Sequence, residues 1–418
     1  MRIQRVRSFL LSYAFPEPVR LSYWGGERRI LKRDAMLVRI ETDRGLVGYG
    51  PGQGSERAHA QIRDTIAPFL EGRLLGDPDA LRIQFLKDHG AEPELVKLYA
   101  GVELALYDLY GKLKGLPVSE LIGGRVRDKI RLYGSAGMYQ PPQAYAEEAA
   151  GIARLGFPAY KMRPGLGPEQ DVEAVRLMRQ AVGPDVELMV DAHTWWRMGD
   201  RSYGEATIEQ MARQMAAYRI AWLEEPMPPD DHEAYRRFRE KEIVPLASGE
   251  HEPSEERYLD LISGQCVDYV QMDVVCQGGF PTGRRILAAI EREGLRFAFH
   301  SWGTDLEVIA AAHLGICWPE SVVEWLEYPV YSTDRLKTMY PFPLATEILR
   351  KPLEIERGQL TVPREPGWGV EVDESVIDRY PWVPGPWSIF SLISPPGTWS
   401  VTADHSRPWA EPETPTEA

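Results

Sequence analysis

Residues 186–191 read Val-Glu-Leu-Met-Val-Asp, an apolar run that ends in a carboxylate. The pattern returns as Ala-Trp-Leu-Glu at 221–224 and as Val-Pro-Leu-Ala-Ser-Gly-Glu at 244–250. Each apolar run is typical of a buried strand, and each acid falls where its strand ends. Three carboxylates that successive strands bring to one rim would form an all-oxygen site suited to Mg²⁺. The predicted metal ligands are Asp191, Glu224 and Glu250.

These runs belong to a longer alternation of strand-like and helical segments within residues 129–350. Eight apolar runs alternate with amphipathic helices such as Glu169–Ala181 and Ile208–Tyr218, which predicts a (β/α)₈-type barrel. An open doubly wound sheet would need a glycine-rich phosphate turn, and Gln-Gly-Gly at 277–279 has the wrong glycine spacing. The runs are Ile130–Tyr133, Ala159–Met162, Glu187–Val190, Ala221–Leu223, Val244–Ala247, Tyr269–Met272, Arg296–Phe299 and Val322–Leu326.

The segments on either side of the barrel have a different character. Residues 1–128 begin with strands and continue with helices, which predicts an α+β module. Within this module, Phe15–Arg33 is predicted to be a long loop. Residues 351–418 return to short strands and Pro/Gly-rich loops, and we expect the last ten or so residues to be disordered.

Composition argues against several classes of protein. The net charge of −14 argues against nucleic acid as a partner. It does not exclude an anionic small substrate, because a metal and a few cations can reverse the field inside a cleft. No run of about 18 apolar residues occurs, so we expect no membrane span. The 3 cysteines have no paired spacing, which is typical of reduced thiols in a cytoplasmic protein.

The strands that flank the three acids carry basic residues. The strand before them ends Tyr-Lys-Met-Arg, and strand alternation points Lys161 and Arg163 the same way, into the rim. The strand after them ends in Asp273, and the next one ends in His300. An Asp and a His on adjacent strand ends can form a dyad in which the carboxylate orients the imidazole and raises its basicity. The pattern predicts a catalytic base beside a metal.

Each of these residues also has an ordinary structural interpretation. A lone acid at a strand end usually caps a loop, and a lone histidine after an apolar run is usually a core residue. Lys161 and Arg163 could be surface cations. The repetition of acids on consecutive units favours an active site, because barrel enzymes gather functional residues at the carboxyl ends of their strands.

Three longer motifs point to a known family. They are Tyr-Ala-Gly-Val-Glu-Leu-Ala-Leu-Tyr-Asp-Leu at 99–109, Leu-Pro-Val-Ser-Glu-Leu-Ile-Gly-Gly at 116–124, and the stretch from Val-Pro to Gly-Trp-Gly-Val-Glu-Val at 362–372. With these motifs the chain resembles the enolase superfamily, in its mandelate racemase and acid-sugar dehydratase branch, over nearly its whole length. The spacing of the strand-end acids and of His300 is similar to that of the mandelate racemase subgroup.

The resemblance implies a modified TIM barrel of the (β/α)₇β type, with an α+β cap built from the N-terminal region and the C-terminal segment. Mg²⁺ on the three acids would hold a substrate carboxylate, and His300, paired with Asp273, would remove the proton next to it. The family's two-base pattern is Lys-x-Lys on the second barrel strand, and here Arg163 replaces the second lysine. Arginine stays protonated at any working pH, so racemisation is in doubt and a one-base reaction is favoured. Lys161 and Arg163 would then be electrostatic partners of the substrate carboxylate.

Further site residues follow from the resemblance. His193 is similar in placement to the general acid that protonates the departing hydroxyl in some sugar-acid dehydratases. The eighth strand should offer an acid to the enediolate, and Glu324 is preferred to Glu327 because Val-Glu-Trp-Leu looks like that strand ending in several dehydratases. His251 could contact substrate, although its side chain alternates away from that of Glu250.

In this family the cap largely sets specificity. We expect Phe15–Arg33 and Pro51–Arg57 to close over the barrel mouth. Trp24, Arg28 and Arg29 would then contact hydroxyls or a second carboxylate of the substrate. An ordinary exposed loop would have the same composition.

The leading hypothesis is a Mg²⁺-dependent lyase that dehydrates an aldonic or aldaric acid to a 2-keto-3-deoxy acid. An isomerase of the same fold (a racemase, epimerase or cycloisomerase) is the second hypothesis. A non-catalytic binding protein that kept the fold is a distant third, because every expected ligand and the dyad are present. Barrels of this family commonly assemble as dimers or octamers, so we expect a homo-oligomer that acts on a small carboxylate substrate.

Overall fold

The computed structural model describes residues 1–333 and 339–402. The disorder predicted for the last ten or so residues lies outside this part of the chain. Among the described residues, no helix combines the length and the apolar character that crossing a membrane requires.

The N-terminal part is an antiparallel sheet followed by helices, which we call the cap. Its elements are β1 (Ile3–Tyr23), β2 (Gly26–Thr42), β3 (Val47–Gly52), α1 (Glu56–Gln61), a π-helical turn (Ile62–Ile66), α2 (Ala67–Leu70), α3 (Pro78–His89), α4 (Pro93–Lys114) and α5 (Val118–Leu121). Strand β2 pairs with both β1 and β3. Helix α4 lies so close to β3 that a Cβ on Gly50 would come within 2.5 Å of the backbone nitrogen of Ala105. Glycines in β3 therefore permit the helix to pack on the sheet.

The loop predicted at Phe15–Arg33 is wrong, because this segment forms the distal half of the β1–β2 hairpin. The two strands pair as far as Tyr23 opposite Gly26, with one irregularity in the region of Pro16 and Pro18. Prolines interrupt the strand pattern in the sequence, but a bulge accommodates them in the sheet. The hairpin reaches from the cap to the mouth of the barrel.

Eight parallel strands form a closed barrel, as predicted. The strands are β4 (Lys129–Met138), β5 (Ala159–Arg163), β6 (Glu187–Asp191), β7 (Trp222–Glu224), β8 (Leu246–Ser248), β9 (Tyr269–Met272), β10 (Arg296–Phe299) and β11 (Val323–Pro329). The helices that connect them are α6 (Pro142–Arg154), α7 (Pro168–Val182), α8 (Glu205–Ala216), α9 (His232–Arg239), α10 (Glu255–Ser263), α11 (Gly279–Glu293) and α12 (Asp305–Gly315), with a short 3₁₀ turn at Gly199–Arg201. Each strand pairs with the next, and β11 pairs with β4 to close the ring. The arrangement is (β/α)₇β.

The C-terminal segment contacts both the barrel and the cap. It contains α13 (Pro343–Glu347), β12 (Ile355–Glu356), β13 (Gln359–Thr361), α14 (Val376–Arg379), β14 (Ser388–Leu392) and β15 (Gly397–Val401). Strand β13 pairs antiparallel with β4 of the barrel. Strand β14 pairs with β2, alongside the distal half of the hairpin, and β15 pairs with β14. The end of the described chain thus completes the sheet with which the chain begins.

A buried ion pair joins the cap to the barrel. Arg82 donates to both oxygens of Glu103 at 3.1 and 3.2 Å. The same guanidinium donates to the backbone oxygen of Gly278 at 2.6 Å and to Oγ1 of Thr282 at 3.0 Å. Both charged side chains are buried, so the pair connects α3 and α4 to the start of α11 without contact with solvent.

A buried histidine makes a second connection. Nδ1 of His313 accepts a hydrogen bond from the backbone N–H of Ser119 at 3.2 Å, and Nε2 donates to the backbone oxygen of Trp368 at 3.0 Å. One nitrogen must accept and the other must donate, so the ring is neutral. Burial lowers the pKa of His313 to about 4, in agreement with that state. We call this histidine and the Arg82–Glu103 pair the cap–barrel seam.

Candidate active site

The inside of the barrel has an apolar layer and a polar layer directly above it. The apolar layer takes one residue from each strand: Tyr133, Ala159, Met189, Trp222, Ala247, Tyr269, Ala298 and Trp325. Side chains on a strand alternate with a period of two, so the residue two positions later also points inward. These residues are Ser135, Lys161, Asp191, Glu224, Gly249, Gln271, His300 and Glu327. This polar layer lies at the carboxyl ends of the strands, where barrel enzymes carry their functional groups.

Lys161 is fully buried in the polar layer and contacts three carboxylates. Its Nζ donates to Oε1 of Glu224 at 2.7 Å. It also lies 3.1 Å from Oε1 of Glu327 and 3.7 Å from Oδ2 of Asp191. Burial alone would lower the pKa of Lys161, but the carboxylates, Glu224 first, outweigh it and raise the pKa well above its usual range. Lys161 is therefore an ammonium ion in this structure.

Arg163 contacts two of the carboxylates that Lys161 also contacts. Its Nε lies 3.0 Å from Oδ2 of Asp191, and its Nη2 donates to Oε1 of Glu327 at 3.1 Å. Its guanidinium lies over the ring of Trp302, 3.8 Å from the centroid. Burial acts to lower its pKa, but Asp191 and Glu327 outweigh that effect and raise it. Both cations predicted on β5 thus face the acids.

His300 and Asp273 form the predicted pair. Nδ1 of His300 lies 3.3 Å from Oδ2 of Asp273, whose Oδ1 accepts from the backbone N–H of Val275 at 2.7 Å. Nε2 of His300 faces Oε2 of Glu250 at 3.6 Å and Oε2 of Glu327 at 3.9 Å. Burial acts to lower the pKa of His300, but Glu250 and the hydrogen bond to Asp273 outweigh it and raise the pKa to about 10. The ring therefore connects the Asp273 carboxylate with the acids of the rim.

The three predicted metal ligands share an all-oxygen chemistry, but their ligand atoms do not all lie within 4.8 Å of one another; among the described residues, those of Glu225, Glu250 and His251 do. Oδ2 of Asp191 and Oε2 of Glu250 are buried and accept no hydrogen bond from any described residue. Glu224 accepts from Nε1 of Trp222 at 2.9 Å and from Nε2 of Gln271 at 2.8 Å. Burial raises the pKa of Glu224 well above its usual range, and the charges of Asp191 and Glu250 add to the effect. Carboxylates that repel one another and supply only oxygen ligands suit a hard cation; in this structure Arg163 and His300 lie beside the two oxygens that accept no hydrogen bond, at 3.0 and 3.6 Å.

His193 lies beside the first of these acids. Its Nδ1 is 2.6 Å from Oδ1 of Asp191, and its backbone N–H points to the same oxygen at 3.4 Å. Burial lowers the pKa of His193 to about 4, against the opposing effect of Asp191. The ring is thus neutral at pH 7 when no ligand is bound.

A second group of possible ligands shares Glu250. One atom each of Glu225, Glu250 and His251 lie within 4.8 Å of one another. Nδ1 of His251 is 2.7 Å from Oε2 of Glu225, and its Nε2 is 3.3 Å from Nη2 of Arg197. Sequence reasoning missed Glu225 and Arg197. Glu225 has a φ of 42°, a strained conformation that is common at functional sites, and burial raises its pKa to about 8. The doubled Glu before Pro226 was the available signal.

The structure contradicts the preference for Glu324 as the eighth-strand acid. Oε2 of Glu324 accepts from Oη of Tyr269 and from Nη1 of Arg296, both at 2.8 Å, below the apolar layer. Trp325 belongs to the apolar layer and Glu327, two positions later, belongs to the polar layer, whereas Glu324 contacts Tyr269 of the apolar layer. Glu327 is fully buried and also accepts from the backbone N–H of Ser301 at 3.1 Å.

The three predicted cap contacts lie in different environments. Trp24 is 39% exposed, and its ring packs so closely that a Cβ on Gly167 would lie 2.8 Å from it. Arg28 is buried between the hairpin and β14. Arg29, on the same strand, is partly exposed and lies 4.0 Å from Oε1 of Glu27.

A cap over the end of a β/α barrel at which buried acids and a histidine meet is the architecture of the enolase superfamily, and the chain is an enzyme of that superfamily. Within it, the chain belongs to the mandelate racemase / muconate lactonizing enzyme family. The model of that family's N-terminal domain matches residues 18–123, and the model described as enolase C-terminal domain-like matches residues 144–376.

Relatives of known activity fall into two groups. D-galactarolactone cycloisomerase of Agrobacterium fabrum is 31% identical over 91% of this chain and 99% of its own length. D-xylonate dehydratase of Haloferax volcanii is 27% identical over 82% of this chain and 85% of its own length. The structure of 3,6-anhydro-D-galactonate cycloisomerase from Zobellia galactanivorans matches with a TM-score of 0.75 at 28% identity, over 91% of this chain and 99% of that one. The chain is thus similar both to a sugar-acid dehydratase and to cycloisomerases.

Proposed function

We propose that the protein is a Mg²⁺-dependent dehydratase of a sugar acid. It removes the proton next to the substrate carboxylate and expels the hydroxyl of the following carbon as water. The enol that remains takes up a proton at that carbon and becomes a 2-keto-3-deoxy acid. The position of His300 carries the proposal, because its ring contacts Asp273 through one nitrogen and faces Glu250 through the other.

Asp191, Glu224 and Glu250 are the proposed ligands of Mg²⁺. When bound, the ion supplies positive charge that fixes the substrate carboxylate and stabilises the negative charge that develops on it. Support comes from the ligand chemistry, which is all oxygen, and from the buried oxygens of Asp191 and Glu250 that accept no hydrogen bond from any described residue.

His300 is the proposed base. Asp273 engages Nδ1, so Nε2 is left to accept the proton of the substrate. In the free protein the raised pKa keeps a proton on His300. The base form becomes more populated when ligands engage Glu250 and Glu327, because their negative charge, together with Asp273, favours the imidazolium ion. After the proton transfer, Asp273 stabilises the charged ring.

Lys161 and Arg163 are proposed as electrostatic partners of the substrate carboxylate, with Glu327 as a hydrogen-bond partner of the enediolate. Both cations are buried and have raised pKa values. A racemase needs a proton acceptor on each face of the carbon, and the guanidinium of Arg163, which stays protonated, does not serve as one. Elimination needs a single base, because loss of the leaving group consumes the electron pair.

His193 is the proposed acid for the departing hydroxyl. It lies against Asp191, one of the proposed ligands, and so next to the expected substrate. Its lowered pKa leaves it neutral in the free protein, and the negative charge of a bound substrate would raise that pKa. Proton uptake by His193 would thus accompany substrate binding.

A cycloisomerase is the second candidate, favoured by the likeness to D-galactarolactone cycloisomerase over nearly the full length of both chains. Its reaction can begin in the same way, with His300 removing the proton beside a free carboxylate. The leaving group then differs, because a ring oxygen that departs remains part of the product.

Incubation in D₂O with Mg²⁺ and a panel of sugar acids and their lactones tests both candidates. With each compound incubated separately, a keto product formed from an acid, one water lighter than that acid, supports dehydration; a keto product formed from a lactone without change of mass, and not from the corresponding acid, supports cycloisomerisation. Mass spectrometry and reaction with semicarbazide give the measurement. Recovered acid that carries deuterium at carbon 2, without any keto product, contradicts both and indicates racemisation.

Replacement of the proposed base should abolish this turnover. His300→Asn should lower kcat by about 1000-fold, the usual contribution of a general base. His89→Asn, at an exposed position on α3, is the matched control and should keep the wild-type rate. Turnover at the wild-type rate by the His300→Asn protein would show that His300 is not the base.

A further inference from the structure

Two buried cations of the cap have no anionic partner among the residues that the structure describes. Arg28 is 5% exposed and Arg33 is 3% exposed. Neither makes an ion pair with any acid in the described chain. Lys32, the neighbour of Arg33, shows the ordinary solution, since its Nζ lies 3.0 Å from Oδ2 of Asp34. We call Arg28 and Arg33 the cation pair.

The partners of Arg28 are all neutral. Its Nε donates to Oγ of Ser388 at 2.9 Å, and its Nη1 lies 3.1 Å from Sδ of Met138. Its guanidinium lies over the rings of Trp387 and Phe390, 5.0 and 4.6 Å from their centroids. A thioether and a hydroxyl are weak partners for a buried positive charge.

The guanidinium of Arg33 has fewer hydrogen-bond partners than that of Arg28. Nε and Nη2 of its guanidinium are buried and donate to no described residue. The group lies over the rings of Tyr340 and Trp387, at 4.6 and 4.7 Å. Both members of the cation pair therefore flank the same tryptophan ring.

A buried, unpaired charge destabilises a protein unless a ligand of opposite charge pairs with it. Burial lowers the pKa of Arg28 and lowers that of Arg33 to about 10, which reflects the same cost of removing the charge from water. Nearby, the hydroxyls of Tyr23 and Tyr331 are also buried without a partner among the described residues. The group as a whole has two positive charges, and no anion among the described residues pairs with them.

The cation pair adjoins the candidate active site. Met138, which contacts Arg28, lies opposite Arg163 in the β4–β5 register. On the other side, Trp302 packs against Arg163 at 3.8 Å and against Tyr340 at 4.4 Å between ring centroids. The donors of the cap and the acids of the barrel therefore belong to one continuous region.

We propose that the cation pair binds a second carboxylate of the substrate, so that the preferred substrate is a sugar diacid, or a derivative that keeps an acid group at its far end. This inference rests on the proposed function, which accounts only for the reacting carboxylate. An aldonic acid would bring an uncharged hydroxymethyl group to this position and leave both guanidiniums unpaired. An aldaric acid would bring the missing anion.

Calorimetric titration tests the preference without turnover. Matched aldarates and aldonates of the same configuration are titrated into the Mg²⁺-loaded His300→Asn protein. The aldarate should bind about 10- to 100-fold more tightly, the usual range for charge-assisted hydrogen bonds. Arg28→Met and Arg33→Met should each remove most of that preference. Arg20→Met, on the same hairpin but exposed, is the matched control and should retain it.

Thermal unfolding separates a ligand-binding role from a structural one. If the cation pair serves the ligand, Arg33→Met should not lower the Tm of the free protein, because it removes an unpaired buried charge. It should abolish the rise in Tm that an aldarate produces in the wild type. A large fall in the Tm of the free protein, with the ligand-induced rise intact, would assign Arg33 to the fold and overturn the inference.

Failure of this inference differs from failure of the proposed function. Equal affinity for aldarate and aldonate, with keto product from aldonates, would overturn the second carboxylate and leave the dehydratase intact. Absence of keto product from every sugar acid would overturn the proposed function. A binding preference for dicarboxylates that depends on Arg28 would support the cation pair even in that case.

Discussion

The cap–barrel seam and the carboxyl-terminal edge of the barrel both bury polar groups, but they pair them to different extents. In the seam, both oxygens of Glu103 and both ring nitrogens of His313 have hydrogen-bond partners. At the edge, one oxygen of Asp191 and one of Glu250 accept no hydrogen bond within the described chain and have only charge contacts, with Arg163 at 3.0 Å and with His300 at 3.6 Å.

The difference separates groups that hold the fold from groups that await a ligand. A buried polar atom without a partner costs free energy, and such atoms persist where binding completes them. The two regions should therefore respond in opposite ways to substitution. The seam should lose stability and keep its chemistry, whereas the edge should lose chemistry and keep its stability.

The largest effect on stability is expected in the seam. Arg82→Met leaves Glu103 as an unpaired buried acid and should lower the free energy of unfolding by about 3–5 kcal/mol. Urea unfolding measures the loss. The exposed pair of Arg285 with Glu255 supplies the control, since Arg285→Met should cost about 1 kcal/mol or less. Lost turnover in fully folded Arg82→Met protein would contradict the separation of the two regions.

The buried His313 of the cap–barrel seam predicts a loss of folding stability at low pH. The pKa of His313 is about 4 in the fold and about 6.5 in an unfolded chain, so protons favour the unfolded state. Its contribution is complete above pH 6.5 and is lost as the pH falls towards 4, by about 3 kcal/mol at about 1.4 kcal/mol per pH unit. His313→Gln lacks this group. The gap in unfolding free energy between wild type and variant should narrow by that amount between pH 7 and pH 4, and a constant gap would show that His313 does not titrate.

Binding of Mg²⁺ at the carboxyl-terminal edge of the barrel should stabilise the folded protein by a smaller amount than the seam contacts do. Mg²⁺ at about 100 times its Kd should raise the free energy of unfolding by about 2.7 kcal/mol. Glu250→Gln should remove most of that gain without lowering the stability of the metal-free protein. Glu240→Gln, at an exposed position, is the control. A full Mg²⁺ effect in Glu250→Gln protein would exclude Glu250 as a ligand.

The smallest effect is expected at the acid that sequence reasoning preferred. Glu324→Gln weakens contacts with Arg296 and Tyr269 and should change stability by about 1 kcal/mol or less, with wild-type kcat. Glu327→Gln, the matched change on the same strand, should lower kcat by about 100-fold. The opposite pair of results would indicate that Glu324, and not Glu327, is the eighth-strand acid that contacts the enediolate.

The barrel and its rim of acids could be predicted because their signal is local and repeated. Each apolar run by itself predicts a strand. The acid at the end of the run, such as Asp191 or Glu224, predicts where the carboxyl end of that strand lies. The choice between Glu324 and Glu327 needed a further fact: which side of β11 faces inward. Trp325 in the apolar layer settles it, but only once β11 closes the ring against β4.

The cap could not be predicted to the same extent, because its contacts join distant parts of the chain. In the sequence, Arg28 looks like a cation in an exposed loop. In the structure it is buried because β14 covers that side of the hairpin, and its hydrogen bond to Ser388 spans 360 positions. Nothing local marks that pairing. The same holds for Arg33, whose aromatic neighbours Tyr340 and Trp387 also come from late in the sequence.

The pairing of β14 with β2 also sets an order of events during synthesis. Arg28 leaves the ribosome 360 residues before Ser388, an interval of roughly 20 to 70 seconds at ordinary rates of translation. Through that time the outer edge of the hairpin is an open strand edge, available to chaperones and to other nascent chains. The barrel strands are all made before the edge is covered, so the groups proposed to recognise the substrate are the last to be assembled.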